Sequence, residues 1–205
     1  MILLTAAVDE ELAFYRPRAG VTTLVTGVGP VESACAVAAA LAQGAFALVI
    51  NAGIAGAFEG AATVGDGVVV EEDSMELALE SGAPLALPAG SALVDSARSD
   101  PSLVEALRAR GFRGVRGLTV ARVTSSEATA RRLHDLGAQV ESMEGFAVLR
   151  AAARAGVAAI EVRGISNRCG DRSCSGWDFR AGVEGLQKIL YALLDLHQLR
   201  VDATA

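Results

Sequence analysis

The stretch EVRGISNRCG, Glu161–Gly170, indicates both the fold and the position of a ligand site. It continues an apolar run, and we predict a buried strand over Ala158–Ile165. The strand ends in a polar pair, Ser166 and Asn167, and the chain then breaks at a glycine. Since open α/β sheets bind ligands at the carboxyl ends of their strands, this pair is a candidate for a ligand contact.

The same alternation of apolar runs with amphipathic or alanine-rich stretches extends along the chain. Further strands are predicted at Ile2–Val8, Thr22–Val28, Ala47–Asn51, Val64–Glu72 and Leu118–Thr124. Helices are predicted at Pro30–Gly44, Pro101–Arg110, Glu127–Leu136, Met143–Ala155 and Asp178–Leu199. Buried strands that alternate with helices indicate a mostly parallel sheet covered on each side. We expect an α/β fold with one domain over residues 1–205, a three-layer α/β/α sandwich with a mixed, mostly parallel central sheet.

Composition narrows the class of protein. The chain is 52% hydrophobic and 20% charged, which is typical of a globular domain. A net charge of −6 argues against a nucleic-acid partner, and no apolar run is long enough to predict a membrane span. The N-terminus lacks a basic region, so a first strand is expected there rather than a signal peptide. Three cysteines without a CxxC motif predict a reduced, cytoplasmic location.

Two glycine-rich stretches follow predicted strands. VTGVGPVES, which contains Gly27 and Gly29, fails the dinucleotide fingerprint because Glu32 occupies the third glycine position. A tight turn is the favoured interpretation, ahead of a ligand contact. NAGIAGAF, Asn51–Phe58, is interpreted as a second loop at the same sheet edge. Two such loops together would form a shallow cradle for a small polar ligand.

Carboxylates recur near the predicted strand ends. In VDEELAF, Asp9 and Glu10 would complement a helix dipole, whereas Glu11 becomes functional only if it points back over the strand ends. Glu144, placed near the start of an apolar helix, is either a solvated acid or an acceptor for two adjacent hydroxyls, as on a ribose. Cys169 and Cys174 have no nearby histidine, so no metal site is predicted.

Six blocks, VDEEL, TGVGPVESA, VINAGIAGAF, VGDGVVV, ESMEGFAVLRAA and EVRGISNR, occur in the order typical of the nucleoside phosphorylase/nucleosidase superfamily. The chain resembles that superfamily from residue 1 to about 185. Within it, the MEGFA and RGISNR blocks are most similar to those of the futalosine hydrolase family. The resemblance implies a nucleoside phosphorylase-like fold, a small-molecule nucleoside and water as partners, no cofactor, and a homodimer or larger homo-oligomer.

The resemblance also implies roles for single residues. Glu11 falls where related nucleosidases keep the glutamate that activates water, and Met143 with Glu144 falls on the block that holds the ribose. Asn167 falls where adenine-specific enzymes carry an aspartate that holds the leaving purine. The candidates for the pocket of the base and the 5′ substituent are Phe58, Phe146, Ser166 and Trp177, with Met143 also a candidate wall. Arg168 or Arg172 is a candidate partner for a substrate carboxylate.

Asparagine at position 167 predicts a 6-oxopurine. Hypoxanthine offers a donor at N7 and an acceptor at O6, and an amide matches both. Futalosine is such a nucleoside, and the resemblance implies hydrolysis of its N-glycosidic bond, which releases hypoxanthine and dehypoxanthine futalosine in menaquinone biosynthesis. An adenine-releasing nucleosidase, a purine nucleoside phosphorylase and a non-catalytic nucleoside-binding domain are the alternatives. The phosphorylases carry a GDP-x-R loop, whereas this chain has AAVDEELAFYRPR there.

Overall fold

A computed structural model describes residues 1–83, 85–171 and 176–202, with side chains described as far as residue 196. Within these residues the strands are β1 (Ile2–Ala6), β2 (Val21–Val25), β3 (Leu48–Ala57), β4 (Gly67–Met75), β5 (Ser96–Arg98), β6 (Arg113–Thr119), β7 (Val140–Ser142) and β8 (Ala158–Arg168). The helices are α1 (Pro30–Gln43), α2 (Pro101–Ala109), α3 (Glu127–Asp135), α4 (Gly145–Arg154) and α5 (Phe179–Asp202). A 3-10 turn, Asp9–Leu12, follows β1. No helix in the described part is long and apolar enough to cross a membrane.

The sheet is mixed and closes on itself. Its strand order is β2-β1-β3-β7-β6-β4-β5, and β8 pairs in parallel with β3 and antiparallel with β4. Strands β3, β7, β6, β4 and β8 therefore form a ring, from which β1 and β2 extend. The sequence predicted the mixed α/β class correctly, but it predicted an open sheet in three layers. The barrel-like closure depends on β8 pairing with two strands distant in sequence, which a local apolar pattern does not reveal.

Alternate residues of the central strands bury against different helices. Leu4, Ile50 and Ile160 join the core beneath α2 and α5, whereas their neighbours Leu3 and Val49 pack against α1 and α4. This arrangement follows from the two-residue period of a strand. Each of the large side chains that are fully buried contributes about 1.5–3 kcal/mol. Helices on both faces were predicted, and the structure has them.

Helix α5 lies directly on β8 because glycines separate the two backbones. A Cβ atom at Gly164 would lie 1.8 Å from the carbonyl oxygen of Gly182 and 2.5 Å from the amide nitrogen of Leu186. These distances are too short for any side chain at position 164. The contact brings α5, with Phe179 in its first turn, close to the carboxyl end of β8.

Several boundaries differ from the sequence-based prediction. The stretch Asn51–Phe58 was expected to be a loop, but β3 continues to Ala57, because β8 pairs with it along its whole length. Strand β6 spans Arg113–Thr119, whereas the strand predicted there was Leu118–Thr124. The short strands β5 and β7 were not predicted, since three residues carry too little periodicity. Helix α4 begins at Gly145.

Candidate active site

A bulge near the end of β8 turns two consecutive side chains toward one cavity. Residue pairing with β3 runs from Ile165 opposite Ala55 directly to Asn167 opposite Gly56, so Ser166 is the extra residue. In a regular strand, neighbours at 166 and 167 would face opposite sides, and a bulge re-aims one of them. Both Ser166 and Asn167 line the cavity. The strand continues to Arg168, beyond the predicted end.

The cavity has a volume of about 320 Å³ and lies beside the carboxyl ends of β1, β3 and β8. Its polar lining consists of Glu11, Glu141, Ser142, Glu144, Ser166 and Asn167. Its larger apolar lining residues are Val8, Val28, Ile54, Val123, Met143, Trp177 and Phe179. The structure thus brings Glu11, Met143, Glu144, Ser166, Asn167 and Trp177 of the predicted site together. A larger cavity of about 620 Å³, beside β4 and α3, contains none of the predicted site residues.

Glu11 points back over the strand ends, as a functional role requires. Its side chain is only 4% exposed. Oε2 accepts hydrogen bonds from the backbone nitrogens of Ala7, at 3.0 Å, and Val8, at 3.3 Å. Oε1 accepts from the backbone nitrogen of Ile54, at 2.8 Å. A carboxylate has about four acceptor positions, so these three bonds fix the group and leave capacity for one further donor.

The charge state of Glu11 reflects opposing influences. Burial raises the pKa of its carboxyl, while the Ile54 N–H and the guanidinium of Arg163 act in the opposite direction. The nearby Glu144 charge raises the pKa further, and the net shift is upward. A carboxylate with a raised pKa is a stronger base, which is the property that activation of water needs.

Glycine at position 53 makes room for this arrangement. A Cβ atom there would lie 2.3 Å from Nη1 of Arg163 and 2.9 Å from Oε1 of Glu11. Both distances are below van der Waals contact, so Gly53 allows a glutamate and an arginine to meet above β3. This glycine, interpreted from sequence as part of a turn, instead lies within a strand.

Glu144 is the N-cap residue of α4 and not a residue inside that helix. It is 6% exposed, which excludes the solvated-acid interpretation. Its Oε1 accepts a hydrogen bond of 2.9 Å from the backbone nitrogen of Gly29, and its Oε2 lies 3.9 Å from Nη1 of Arg163. Gly29 has a φ of 97°, a conformation that favours glycine. The VTGVGPVES turn therefore contacts Glu144 directly.

Asn167 is half-buried and its amide is oriented by neighbours. The hydroxyl of Ser166 lies 3.0 Å from Oδ1, within donating distance, and Nδ2 donates to the carbonyl oxygen of Arg168 at 3.1 Å. An amide has one further N–H and one further lone pair. Asn167 can therefore donate one hydrogen bond and accept another on a bound ligand.

The aromatic residues are divided between the cavity and other positions. Trp177 lines the cavity, is 61% exposed and packs edge-on against Phe179, with ring centroids 5.6 Å apart. Phe58 was expected in the pocket, but it is 1% exposed and packs in the core with Leu133. Phe146, also expected there, is half-buried in the first turn of α4 and does not line the cavity. The presence of an aromatic residue in the sequence does not reveal whether its ring faces a cavity or the core.

Arg168 was a candidate partner for a substrate carboxylate, and it forms an ion pair with Glu127 at 2.5 Å. It does not line the cavity. Arg172 and Cys174 lie outside the described residues. Cys169 is buried in the core beside Phe58. Among described residues, no group of three or more histidine, cysteine, aspartate or glutamate side chains is arranged to hold a metal ion.

Sequence analysis missed four charged residues near this site. Glu141 lines the cavity and accepts hydrogen bonds from the backbone nitrogen and the hydroxyl of Thr124. Three others lie behind Glu11 and Glu144 and are fully buried: Asp73, Glu161 and Arg163. The signal that could have revealed them is the presence of charged residues inside apolar strands. Because an unpaired buried charge is unfavourable, such residues are expected to have charged or hydrogen-bonding partners.

The chain is similar to known proteins over most of its length. Residues 8–195 match the family described as the Phosphorylase superfamily. A futalosine hydrolase from Thermus thermophilus is 34% identical over 186 residues, which cover 85% of this chain and 81% of that protein. One from Acidothermus cellulolyticus is 40% identical over 194 residues, which cover 88% and 78%. The chain belongs to the futalosine hydrolase family of the phosphorylase superfamily.

Membership in the futalosine hydrolase family confirms the resemblance and shows that the chain is an N-glycosyl hydrolase. The fold is shared more widely. The crystal structure of 5′-methylthioadenosine/S-adenosylhomocysteine nucleosidase from Neisseria meningitidis, in complex with methylthio-immucillin-A, matches with a TM-score of 0.79. That match covers 94% of this chain and 97% of the other at 18% identity, so it shows a common fold.

Proposed function

We propose that this protein hydrolyses the N-glycosidic bond of futalosine and releases hypoxanthine and dehypoxanthine futalosine, as a step of menaquinone biosynthesis. The observation that carries the proposal is the convergence of Glu11, Glu144 and Asn167 on one cavity. The curated relatives named futalosine hydrolase support the choice of substrate.

Glu11 acts as the general base in this proposal. Cleavage builds positive charge on the ribose ring, and water attacks its anomeric carbon on the face opposite the purine. The Glu11 carboxylate takes the proton of that water through the acceptor position that its backbone contacts leave open. Its three backbone hydrogen bonds hold it in place before the reaction, so little reorganisation accompanies proton transfer.

Glu144 holds the ribose. Its carboxylate accepts hydrogen bonds from the two adjacent hydroxyls, and charged acceptors form the stronger hydrogen bonds. The Gly29 N–H occupies one acceptor position on Oε1 and fixes the plane of the group. Met143 covers the sugar from the apolar side. Fixing the ribose aligns the anomeric carbon with the water held by Glu11.

Asn167 binds the leaving base. Its free amide hydrogen donates to O6 of hypoxanthine, and its remaining lone pair accepts from N7–H. An asparagine does not transfer a proton as an acid, so the proton that reaches the departing base comes from solvent. Trp177 and Phe179 provide an apolar wall for the ring.

The charge of the cavity favours water over phosphate as the nucleophile. Among its described lining residues, three are carboxylates, Glu11, Glu141 and Glu144, and none is basic. A phosphate anion placed beside Glu11 would experience repulsion, and the described lining residues include no cation to compensate it. A neutral water molecule has no such penalty. Phosphorolysis is therefore the weaker alternative.

The test is chromatography of the free base released from futalosine and from methylthioadenosine, each with and without added phosphate. We expect hypoxanthine from futalosine, at a rate independent of phosphate, and little adenine from methylthioadenosine. Adenine as the main product would overturn the role given to Asn167. A requirement for phosphate would show that the enzyme is a phosphorylase.

A further inference from the structure

A buried cluster of charged side chains lies directly behind Glu11 and Glu144. Arg163 and Glu161 are two residues apart on one face of β8, and Asp73 lies on the neighbouring strand β4. All three are at most 1% exposed, and none lines the cavity. They cannot touch a substrate in that cavity. Burial of a charged side chain costs free energy unless the charge is paired, so the partners of these three residues matter.

Arg163 connects this cluster to the site. Its Nε donates to Oε1 of Glu161 at 2.8 Å, and its Nη1 lies 3.9 Å from Oε2 of Glu144. Its guanidinium also faces Glu11 above Gly53. Within the described residues of this cluster, one cation thus stands among four carboxyl groups. If all four were ionised, the buried cluster would carry a large uncompensated negative charge.

Asp73 and Glu161 face each other across Gly145. A Cβ atom at Gly145 would lie 2.3 Å from Oδ2 of Asp73 and 2.6 Å from Oε2 of Glu161. The hydroxyl of Thr119 donates to Oδ1 of Asp73 at 2.7 Å. Among the described residues, no N–H or O–H donor forms a hydrogen bond with Oδ2 of Asp73 or Oε2 of Glu161. Two such oxygens are compatible when a proton lies between them.

The charges around the pair agree with a single shared proton. Burial raises the pKa of Asp73 well above its usual range, and the charge of Glu161 adds to the effect. Burial also raises the pKa of Glu161, but Arg163 opposes that shift. These directions favour Asp73 as the protonated member and Glu161 as the ionised partner of Arg163. Among the described residues, the other groups that act on the pair are Glu144, the Thr119 hydroxyl and the backbone N–H of Phe146.

We propose that Asp73 and Glu161 form a carboxylic acid–carboxylate pair that shares one proton and positions Arg163, which in turn holds Glu144 and Glu11 for catalysis. One negative charge in the pair matches the one positive charge of Arg163. Loss of the shared proton would place a second negative charge in the pair, and loss of the pair's one negative charge would leave Nε of Arg163 without its charged partner. The inference rests on the proposed function only for the role of Glu11 and Glu144 in hydrolysis.

Amide substitutions test the shared proton directly. In Asp73→Asn, the amide N–H donates to Oε2 of Glu161 and replaces the proton. In Glu161→Gln, the amide donates to Asp73, which becomes the ionised member. We expect each single variant to lose less than about tenfold in kcat, the low end for residues that support active-site groups. The double variant removes the charge of the pair that Nε of Arg163 contacts, and we expect it to lose about 100-fold or more, clearly above the product of the two single losses.

The assay uses any nucleoside that the wild-type enzyme cleaves, so failure of futalosine as the substrate leaves the test intact. Glu72→Gln is the matched control, because Glu72 precedes Asp73 in β4 but forms its ion pair with Arg98. A loss of kcat in the double variant equal to the product of the two single losses would overturn the proposal of a shared proton. So would an Asp73→Asn variant as slow as Asp73→Leu, which has no donor.

Thermal unfolding gives a second readout that does not depend on activity. Asp73 has a raised pKa in the folded protein, so its contribution to stability is complete at low pH and is lost as pH rises. Asparagine does not titrate. We expect the Tm of Asp73→Asn, relative to the wild type, to increase between about pH 4 and about pH 8. A Tm difference that does not change with pH would overturn the proposal, and Glu72→Gln should show no such trend.

Discussion

Nη1 of Arg163 lies 3.9 Å from Oε2 of Glu144, and both side chains are almost completely buried. A buried ion pair contributes little net stability, because desolvation offsets the attraction. Its value here is geometric. Glu144 has a backbone donor on one oxygen and a cation near the other, so its plane is fixed before a ribose binds. Preorganisation of this kind lowers the cost of reaching the transition state.

Replacement of Glu11 by glutamine should remove the general base. The amide retains the size of the side chain but does not accept a proton, so kcat should fall by about 10²- to 10⁴-fold. KM should change less, because Glu144 and Asn167 still bind the nucleoside. Steady-state kinetics measure both constants. Glu10→Gln is the matched control, since Glu10 is exposed in the same turn, and a Glu11→Gln variant with wild-type kcat would refute the mechanism.

The pH dependence of kcat/KM should report the ionisation of Glu11. The reaction needs the carboxylate, and burial raises the pKa of Glu11 above its ordinary value of 4.5. Activity should therefore rise with pH through a midpoint above 4.5. A midpoint at or below that value would contradict the assignment.

The Glu11 carboxyl should also affect the stability of the folded protein, which should decrease with rising pH where activity increases. Because its folded pKa is raised, Glu11 contributes stability that is fully present below its ordinary pKa and is lost as pH rises through the raised one. Glutamine does not titrate, so the Tm of Glu11→Gln relative to the wild type should increase with pH. Thermal unfolding across an acidic-to-neutral series measures this trend. A constant difference would indicate that the Glu11 pKa is not raised.

Substitution of Asn167 by aspartate should change the preferred base. A carboxylate cannot donate to O6 of a 6-oxopurine, and an unpaired buried polar group costs about 1–3 kcal/mol, roughly tenfold to a hundredfold in kcat/KM. Cleavage of 6-oxopurine nucleosides should decrease by that factor relative to 6-aminopurine nucleosides. The ratio of the two rates in one preparation controls for damage to the fold. An unchanged ratio would show that Asn167 does not read position 6.

An alanine at Gly53 should disturb the site and the fold together. Its Cβ atom would collide with Nη1 of Arg163 and Oε1 of Glu11. Overpacking of this kind costs about 1–3 kcal/mol, and displacement of Glu11 should lower kcat as well. Thermal unfolding and kinetics measure the two effects. Gly176→Ala serves as the control, since no atom of the described residues lies within 4 Å of a Cβ atom there; equal behaviour of the two variants would contradict this account.

Much of the architecture could be read from local patterns. The helix start at Pro101 and the end of α1 before Gly44 follow from proline and glycine placement, and both were predicted. The sequence blocks also indicated Glu11, Glu144 and Asn167, and these three residues meet in the cavity. Such features depend on residues close together in the chain, so a linear reading captures them.

Other features depend on contacts between distant segments. The ring closes because β8 pairs with both β3 and β4, and the apolar pattern of β8 gives no sign of a second partner. The same limitation placed Phe58 and Phe146 in the pocket, although neither lines it. The pattern of apolar residues indicates that a side chain is buried. Whether that side chain lines a cavity or packs in the core depends on the segments that contact it.

The sequence by itself determined the α/β class, the order of the longer helices and strands and the chemical types available for hydrolysis, because periodicity and residue identity are local properties. Only the tertiary structure decided that Arg163, Glu161 and Asp73 lie behind the site, and that a bulge turns Ser166 and Asn167 together. Charge pairing and strand register depend on which segments meet in space. Burial then determines which of these carboxyl groups keeps its proton.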